Sequence, residues 1–333
     1  MKKILIIHTG GTFGMSPADP AKTLRPGNLE AAIEKHLPAL NSLAQIDIQI
    51  PFNLDSSNIG PEQWIEMYRI IKTHEPDYDG FLLIHGTDTL IYTAAALSFL
   101  LTDFNKPVIL TGSQRPLSAI RSDARSNLIN AVELATMQIP EVAICFDSKL
   151  YRGNRTKKIS IESYQGFESP NYPLLATIGL KIHLRPENFF RSRKPIDLEP
   201  VFDTGVSIIH LFPGINPEMY NYLIQKSVRS IVIAGFGAGN FPAYDKRWND
   251  FFAACSAAHK LVCITSQSLH GKVDLELYEI GKQALDAGAT GLSDMTLEAS
   301  IVKLMLLQGN FDDPDKIRSL VQVSLAGELS EEA

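Results

Sequence analysis

Residues 4–14 read ILIIHTGGTFG, and residues 81–90 read FLLIHGTDTL. Each segment opens as a short apolar run, the pattern of a strand buried on both faces of a parallel sheet. Each then breaks at glycine and carries threonine hydroxyls just past the strand end. In open α/β sheets, ligands bind at that edge, outside the carboxyl ends of the strands. Thr12 and Thr87 are therefore candidates for opposite sides of one small molecule. Working outward, apolar runs alternate with helical patterns. Strands are expected at 3–8, 46–52, 80–85, 107–111 and 141–146, and helices near 28–37, 61–75, 89–103 and 122–138. Pro61-Glu62, just after Ser56, Ser57 and Asn58, reads as a helix start. The rhythm argues for an α/β fold with a doubly wound, mainly parallel sheet.

The periodicity is lost over residues 185–204, RPENFFRSRKPIDLEPVFDT, where proline and mixed charge read as a linker. It resumes with strands expected at 206–211, 230–234 and 261–265, and helices near 216–227, 246–259, 281–287 and 295–308. The expected organisation is a larger N-terminal α/β domain over 1–184, the linker, and a smaller C-terminal α/β domain over 205–333. A chain of 333 residues fits two domains better than one core.

The formal net charge is −6, so a broad basic nucleic-acid footprint is not expected. Arg115, Arg121 and Arg125 form a local cluster that reads as solvated or structural. Cys145, Cys255 and Cys263 are far apart and lack metal-site spacing, and the first and last lie in strand-like runs. They read as small buried hydrophobes in a reducing compartment. The apolar run Ile4 to Ile7 is too short for a signal peptide, and no run approaches a membrane span. A cytoplasmic location and no membrane partner are the expectations.

Four segments carry candidate chemistry. HTGGTFG lacks the spacing of dinucleotide and P-loop motifs. GFGAGN at 235–240 lacks the third glycine of the dinucleotide fingerprint and is not followed by an early helix. A tight turn with Gly10 and Gly11 supplying only backbone freedom is the plain alternative for the first segment, although it leaves Thr9 and Thr12 unexplained. In HGTDT a hydroxyl and a carboxylate adjoin at a strand end. Asp88 or Thr89 fits the N-cap of the following helix, which leaves Thr87 and Asp88 open as site residues. His8 and His85, each last in its strand run, read as structural. RGNRTKK at 152–158 reads either as a solvated basic loop or as the source of a lysine base for a weakly nucleophilic threonine. LDSSNIG at 54–60 reads as an N-capping cluster or as a set of partners for an amino acid's charged ends.

Together these stretches resemble the bacterial-type L-asparaginase family, in its cytoplasmic type I branch. The likeness runs nearly end to end, through HTGGTFGM, LDSSNIGPEQW, YDGFLLIHGTDTLIYTAAALSFLL, KPVILTGSQRPL, RSDARSNLINA, LYRGNRTKK, SPNYPLLATIG, GFGAGN and DMTLEASIVKL. TGGT followed by HGTDT at this spacing is its most specific element. The resemblance implies hydrolysis of the side-chain amide of L-asparagine to L-aspartate and ammonia, without metal or cofactor. It implies that Thr12 is the nucleophile of an acyl-enzyme, accompanied by Thr87, Asp88 and Lys158. Counting back from SPN at 169–171 favours Lys158 over Lys157. It also implies that Asp55, Ser56, Ser57, Thr87 and Asp88 hold the substrate. Asn240 and Tyr278 would act at a neighbouring subunit's site in a homodimer or a dimer of dimers. Backbone N–H groups at the glycine turns suit a developing oxyanion.

The chain departs from the family in two places. Met15 to Pro26, which matches a lid segment, has no tyrosine, and Lys22 stands where many members place one. Lys157, Ala234 and Ser268 stand where members with a second, regulatory asparagine site have Thr, Arg and Cys, so that site is not expected. The competing readings are a glutaminase-asparaginase of broader specificity, an amidotransferase subunit, a dinucleotide-dependent oxidoreductase and a non-catalytic amino-acid sensor. The amidotransferase is expected to carry a further N-terminal domain ahead of TGGT, which starts here at Thr9, so that reading is not the one expected. The oxidoreductase would bind its cofactor tightly. A sensor is expected to lose Thr12 or Lys158, and both are present.

Overall fold

In the computed structural model, the described residues are 1–17, 24–26, 38–190, 196–225 and 227–331. The helix expected over 28–37 and Lys22 lie outside them. The chain divides into two compact units, Met1–Pro195 and Ile196–Ala333.

The first unit is built on an eight-stranded sheet. Its strands are β1 (Lys3–His8), β4 (Gln45–Gln49), β5 (Gly80–Ile84), β6 (Val108–Thr111), β7 (Val142–Phe146), β8 (Lys149–Arg152), β11 (Ala176–Ile178) and β12 (Ile182–Leu184). Two antiparallel pairs supply the intervening strands, β2 (Met15–Pro17) with β3 (Leu24–Pro26), and β9 (Lys157–Lys158) with β10 (Phe167–Glu168). Across the sheet the order is β12-β11-β8-β7-β6-β5-β1-β4. The five strands from β7 to β4 are mutually parallel, and the three at the other edge are antiparallel. From β1 the chain moves to one side to make β4, then returns past β1 to make β5. That reversal is the switch point at which the crevice of a doubly wound sheet opens.

The alternation of apolar strands with helices has a direct packing cause. Ile4, Ile6, Leu82, Ile84 and Ile109 are fully buried, as strands covered on both faces require. Helix α1 (Pro61–Thr73) buries only one stripe, Trp64, Met67 and Ile71. Helix α2 (Leu90–Leu100) has ten buried residues and no polar face. A helix apolar all round must be covered on all sides. One cover is the short turn Gly153–Arg155, where a Cβ added at Gly153 would lie 3.2 Å from Ala94 Cβ. Helix α3 (Ala124–Ala135) contributes Leu128, Ala131 and Val132 to the main core cluster.

The second unit has a parallel four-stranded sheet, β13 (Val206–His210), β14 (Ser230–Gly235), β15 (Leu261–Ser266) and β16 (Thr290–Gly291), in that order. Its helices are α4 (Tyr222–Gln225), α5 (Arg247–Ala257), α6 (Glu279–Asp286), α7 (Leu297–Asn310) and α8 (Pro314–Val321). Trp248 is fully buried among Phe241, Phe251 and Phe252 in a separate core. Where the sequence pattern predicts one helix over 216–227, the chain makes a 3-10 turn at Pro217–Tyr220 and then the short α4. Residues 185–190, at the start of the expected linker, bond into the first unit. Arg152 Nη2 donates to Asn188 O at 2.7 Å, and Phe190 N donates to Glu141 Oε1 at 2.9 Å. Residues 199–205 bond into the second, as Asp203 N does to Met305 O at 2.9 Å.

All three cysteines are free and buried, and burial pushes their thiols up. No helix among the described residues is long and apolar enough to cross a membrane.

Candidate active site

Three turns meet at the carboxyl edge of β4, β1 and β5. Gly10 lies so close to Leu54 that an added Cβ would sit 2.1 Å from its carbonyl oxygen. An added Cβ on Gly11 would sit 2.5 Å from Gly86 Cα, and one on Gly86 would sit 2.6 Å from Ser56 Oγ. Gly11 also has φ +83°, a conformation that side chains with a Cβ rarely adopt. The glycines are thus where three backbones touch, and Thr12, Ser56 and Thr87 come from those three turns. Backbone hydrogen bonds lock the contact, with Leu54 N donating to Thr9 O at 2.9 Å and Gly11 N to Leu54 O at 3.2 Å. Thr9 itself is spent structurally, since its Oγ1 donates to Ile84 O at 3.0 Å.

Lys158 arrives from 70 residues away. Its Nζ donates to Thr87 Oγ1 at 2.9 Å and to Asp88 Oδ1 at 2.5 Å. The lysine side chain is only 14% exposed and that of Asp88 is 65% exposed, so one partner is largely desolvated and the other faces water. The β9–β10 register pairs Lys158 with Phe167 and Lys157 with Glu168. Successive strand residues point to opposite faces, so only one of the two lysines can face Thr87. The basic segment is no solvated loop, because Arg152 and Arg155 are 3% and 1% exposed. Arg152 pairs with Glu141 at 2.8 Å, and its guanidinium lies 4.1 Å from the centre of the Tyr172 ring. Packed on α2, this buried base delivers Lys158 to the start of the same helix.

The capping alternatives resolve in detail. Asp55 caps the short turn Ser56–Asn58, taking hydrogen bonds from Ser57 N at 2.9 Å and Ser57 Oγ at 2.6 Å. The Ser57 hydroxyl is the main reason its carboxyl is held below the usual range. Gly60, not Asp55, stands at the N-cap of α1. Thr89 occupies the N-cap of α2 without a side-chain cap, and its Oγ1 donates instead to Ser56 O at 2.6 Å. That bond ties the Asp55–Ser57 turn to the Thr87 turn. Arg115, Arg121 and Arg125 are exposed, in keeping with the solvated reading.

A fourth turn, Gly112–Ser113 after β6, packs against the Thr87 turn and is a candidate site element that sequence reasoning missed. A Cβ at Gly112 would lie 2.5 Å from His85 O and 3.3 Å from Thr87 Cγ2. Asn127 Nδ2 holds Gly112 O at 3.0 Å, and the Asp123 carboxylate holds Gln114 N and Arg115 N at 2.9 and 3.1 Å. The signal available in the sequence is a glycine one residue past a strand end, where Gly10 and Gly86 stand two residues past theirs. Asn240 and Tyr278 belong to the second unit. Asn240 exchanges backbone hydrogen bonds with Phe236 at 2.8 and 2.9 Å, and Tyr278 is 53% exposed at the start of α6. Among the described residues no group of three or more His, Cys, Asp and Glu side chains could hold a metal ion.

The family models for "Asparaginase, N-terminal" and "Glutaminase/Asparaginase C-terminal domain" match residues 3–189 and 205–321. The chain belongs to the asparaginase family of amidohydrolases. It is 35% identical to L-asparaginase 1 of Escherichia coli, over 99% of this chain and 98% of that one. The crystal structure of L-asparaginase I from Vibrio cholerae superposes with a TM-score of 0.89 at 32% identity, covering 99% of both chains. One chain of the glutamyl-tRNA(Gln) amidotransferase of Sulfurisphaera tokodaii is 32% identical over 98% of this chain and 75% of its own length. The asparaginase family is thus established, and within it the resemblance is to the type I branch.

Proposed function

We propose that this protein is an L-asparaginase that releases ammonia from the L-asparagine side chain through a threonine acyl-enzyme. The observation that carries the reading is the hydrogen-bonded set Thr87–Lys158–Asp88, on a turn whose backbone touches the turn bearing Thr12. Thr12 Oγ1 attacks the amide carbon. Its proton passes through the Thr87–Lys158–Asp88 set to the amide nitrogen, the C–N bond breaks, and ammonia leaves. Water then cleaves the ester and returns the proton to Thr12. Among the described residues, no backbone carbonyl accepts from the N–H groups of Thr12 and Thr87. Both are available to the oxyanion, a contribution typically worth about 3–4 kcal/mol per donor. Asp55, Ser56 and Ser57 take the substrate's charged end, with Asp55 kept ionised for the α-ammonium. No cofactor or metal takes part.

The working unit is a homodimer, or a dimer of dimers, in the cytoplasm. Asn240 and Tyr278 of one subunit complete the site of the next. Glutamine differs from asparagine by one methylene, worth only ~1–3 kcal/mol in a pocket, so a glutaminase activity of lower kcat/KM accompanies the main one.

The test is ammonia release from L-asparagine and L-glutamine over a concentration series, beside Thr12→Ala. Hyperbolic release from asparagine, abolished in a normally folded Thr12→Ala, is expected. Activity retained in that variant removes Thr12 from the nucleophile's role. Equal kcat/KM for both amides makes the protein a glutaminase-asparaginase. Release from neither returns the reading to a sensor or another amide.

A further inference from the structure

His85 stands directly before the Gly86–Thr87 peptide and is 1% exposed. Its Nδ1 lies 2.7 Å from Gly86 O, and its Nε2 lies 2.9 Å from Thr93 Oγ1. A carbonyl oxygen only accepts, so the proton must be on Nδ1. Burial pushes the imidazole down to about 4, so at neutral pH the ring is uncharged and Nε2 is an acceptor. Thr93 therefore donates its hydroxyl proton to Nε2. Its oxygen in turn accepts from Trp64 Nε1 at 3.1 Å. Every direction in the chain Trp64 → Thr93 → His85 → Gly86 is fixed by what each atom is able to do. Trp64 and Thr93 are 4% and 0% exposed, on α1 and α2, so two helices anchor the chain.

The consequence lies on the far side of the peptide plane. In a trans peptide the C=O of Gly86 and the N–H of Thr87 point in opposite directions. A hydrogen bond that draws Gly86 O toward the His85 ring turns the Thr87 N–H away from it. No backbone carbonyl among the described residues accepts from that N–H, whereas His85 N is bonded to Thr111 O at 2.9 Å. We infer that Trp64, Thr93 and His85 form a positioning relay that sets the Gly86–Thr87 peptide, and so aims the Thr87 N–H and hydroxyl at the reacting amide. The inference rests on the reading of this edge as an amide-hydrolysing site. All three residues are buried, so all act through Thr87.

Thr93→Val removes the donor to Nε2 with little change of shape, and Thr93→Ser returns it. Well below its unfolding midpoint, Thr93→Val is expected to lose about tenfold or more in kcat for asparagine, with KM within about twofold. Thr93→Ser is expected to recover kcat to within about threefold. A purely structural role predicts a lower unfolding midpoint with wild-type kcat beneath it, and that result overturns the relay. A second readout needs no turnover. Nitrogen-15 spectra of the His85 ring should show the proton on Nδ1, and the Thr87 amide shift should move in Thr93→Val and return in Thr93→Ser. A proton on Nε2 overturns the relay even in an active asparaginase. An Nδ1 proton with a restored Thr87 shift, in a protein that hydrolyses no amide, upholds the relay and removes the substrate reading instead.

Discussion

At the carboxyl edge of the eight-stranded sheet, the Lys158 side chain donates to the side chains of both Thr87 and Asp88. At the corresponding edge of the four-stranded sheet, polar side chains turn to the backbone instead. Gln267 Nε2 donates to Leu211 O and Ala234 O at 2.7 and 2.8 Å, and Ser266 Oγ to Gly237 O at 2.6 Å. Both edges carry glycine-rich turns after parallel strands. In the first unit the glycines bring three separate chain segments into backbone contact. In the second, the turn closes on itself, with Phe236 and Asn240 bridged. A sheet edge at a strand end is a favourable place for a site, but it becomes one only where side chains are left to bond each other or a ligand.

The sharpest way to break this contrast is at the lysine. Lys158→Met should lower kcat by about 10²–10⁴-fold, the usual range for a lost proton-transfer group. Lys157→Met, on the opposite face of the same strand, should stay within a few-fold of wild type. Steady-state ammonia release compares them, and the reverse order would mean that the strand register is wrong.

The glycine turns come next. Gly11→Ala places a methyl 2.5 Å from the Gly86 backbone at φ +83°. It should cost about 3 kcal/mol or more, because backbone cannot move aside as a side-chain tip can. Gly237→Ala, at φ +48° with nothing within 4 Å of the added carbon, should cost only about 1 kcal/mol for the left-handed conformation. Urea unfolding of the two variants measures the difference, and equal losses would show that the packed turns matter no more than the open one.

Acid supplies a further contrast. His8 and His85, both in the first unit, are 1% exposed, and burial pushes each down from the usual 6.5 to about 4. Between those values the unfolded chain binds protons that the folded chain refuses, so stability falls as the pH drops through the window and is full above it. Each histidine accounts for a loss on the order of 3 kcal/mol by pH 4. Unfolding followed by pH should show the first unit weakening over this range, and a flat profile would place protonated, solvated histidines there.

Much of the fold was legible because the apolar strands of a two-sided sheet are unbroken runs. The segments ILIIH, FLLIH, VILT and VAICF mark β1, β5, β6 and β7 to within a residue or two. The antiparallel edge was not legible, since KLYR, ATI and IHL are too short to show alternation. Only pairing, Leu150 with Cys145 and with Ala176, makes strands of the first two. Likewise the helix α8 near the C-terminus, PDKIRSLV, spans only eight residues and buries just Ile317 and Val321.

For the site, the sequence by itself determined which residues stand at strand ends, because glycine and threonine after an apolar run mark a turn at a sheet edge. It also determined that HGTDT runs straight into a helix. Tertiary structure alone decided that Gly11 meets Gly86, that Thr9 is structural, and that Lys158 reaches Thr87 and Asp88 across 70 residues. Those facts depend on the order β4-β1-β5 and on the buried Arg152–Arg155 turn seated on α2. Strand order and long-range packing arise from burying every apolar face at once, a condition that no local stretch of sequence carries.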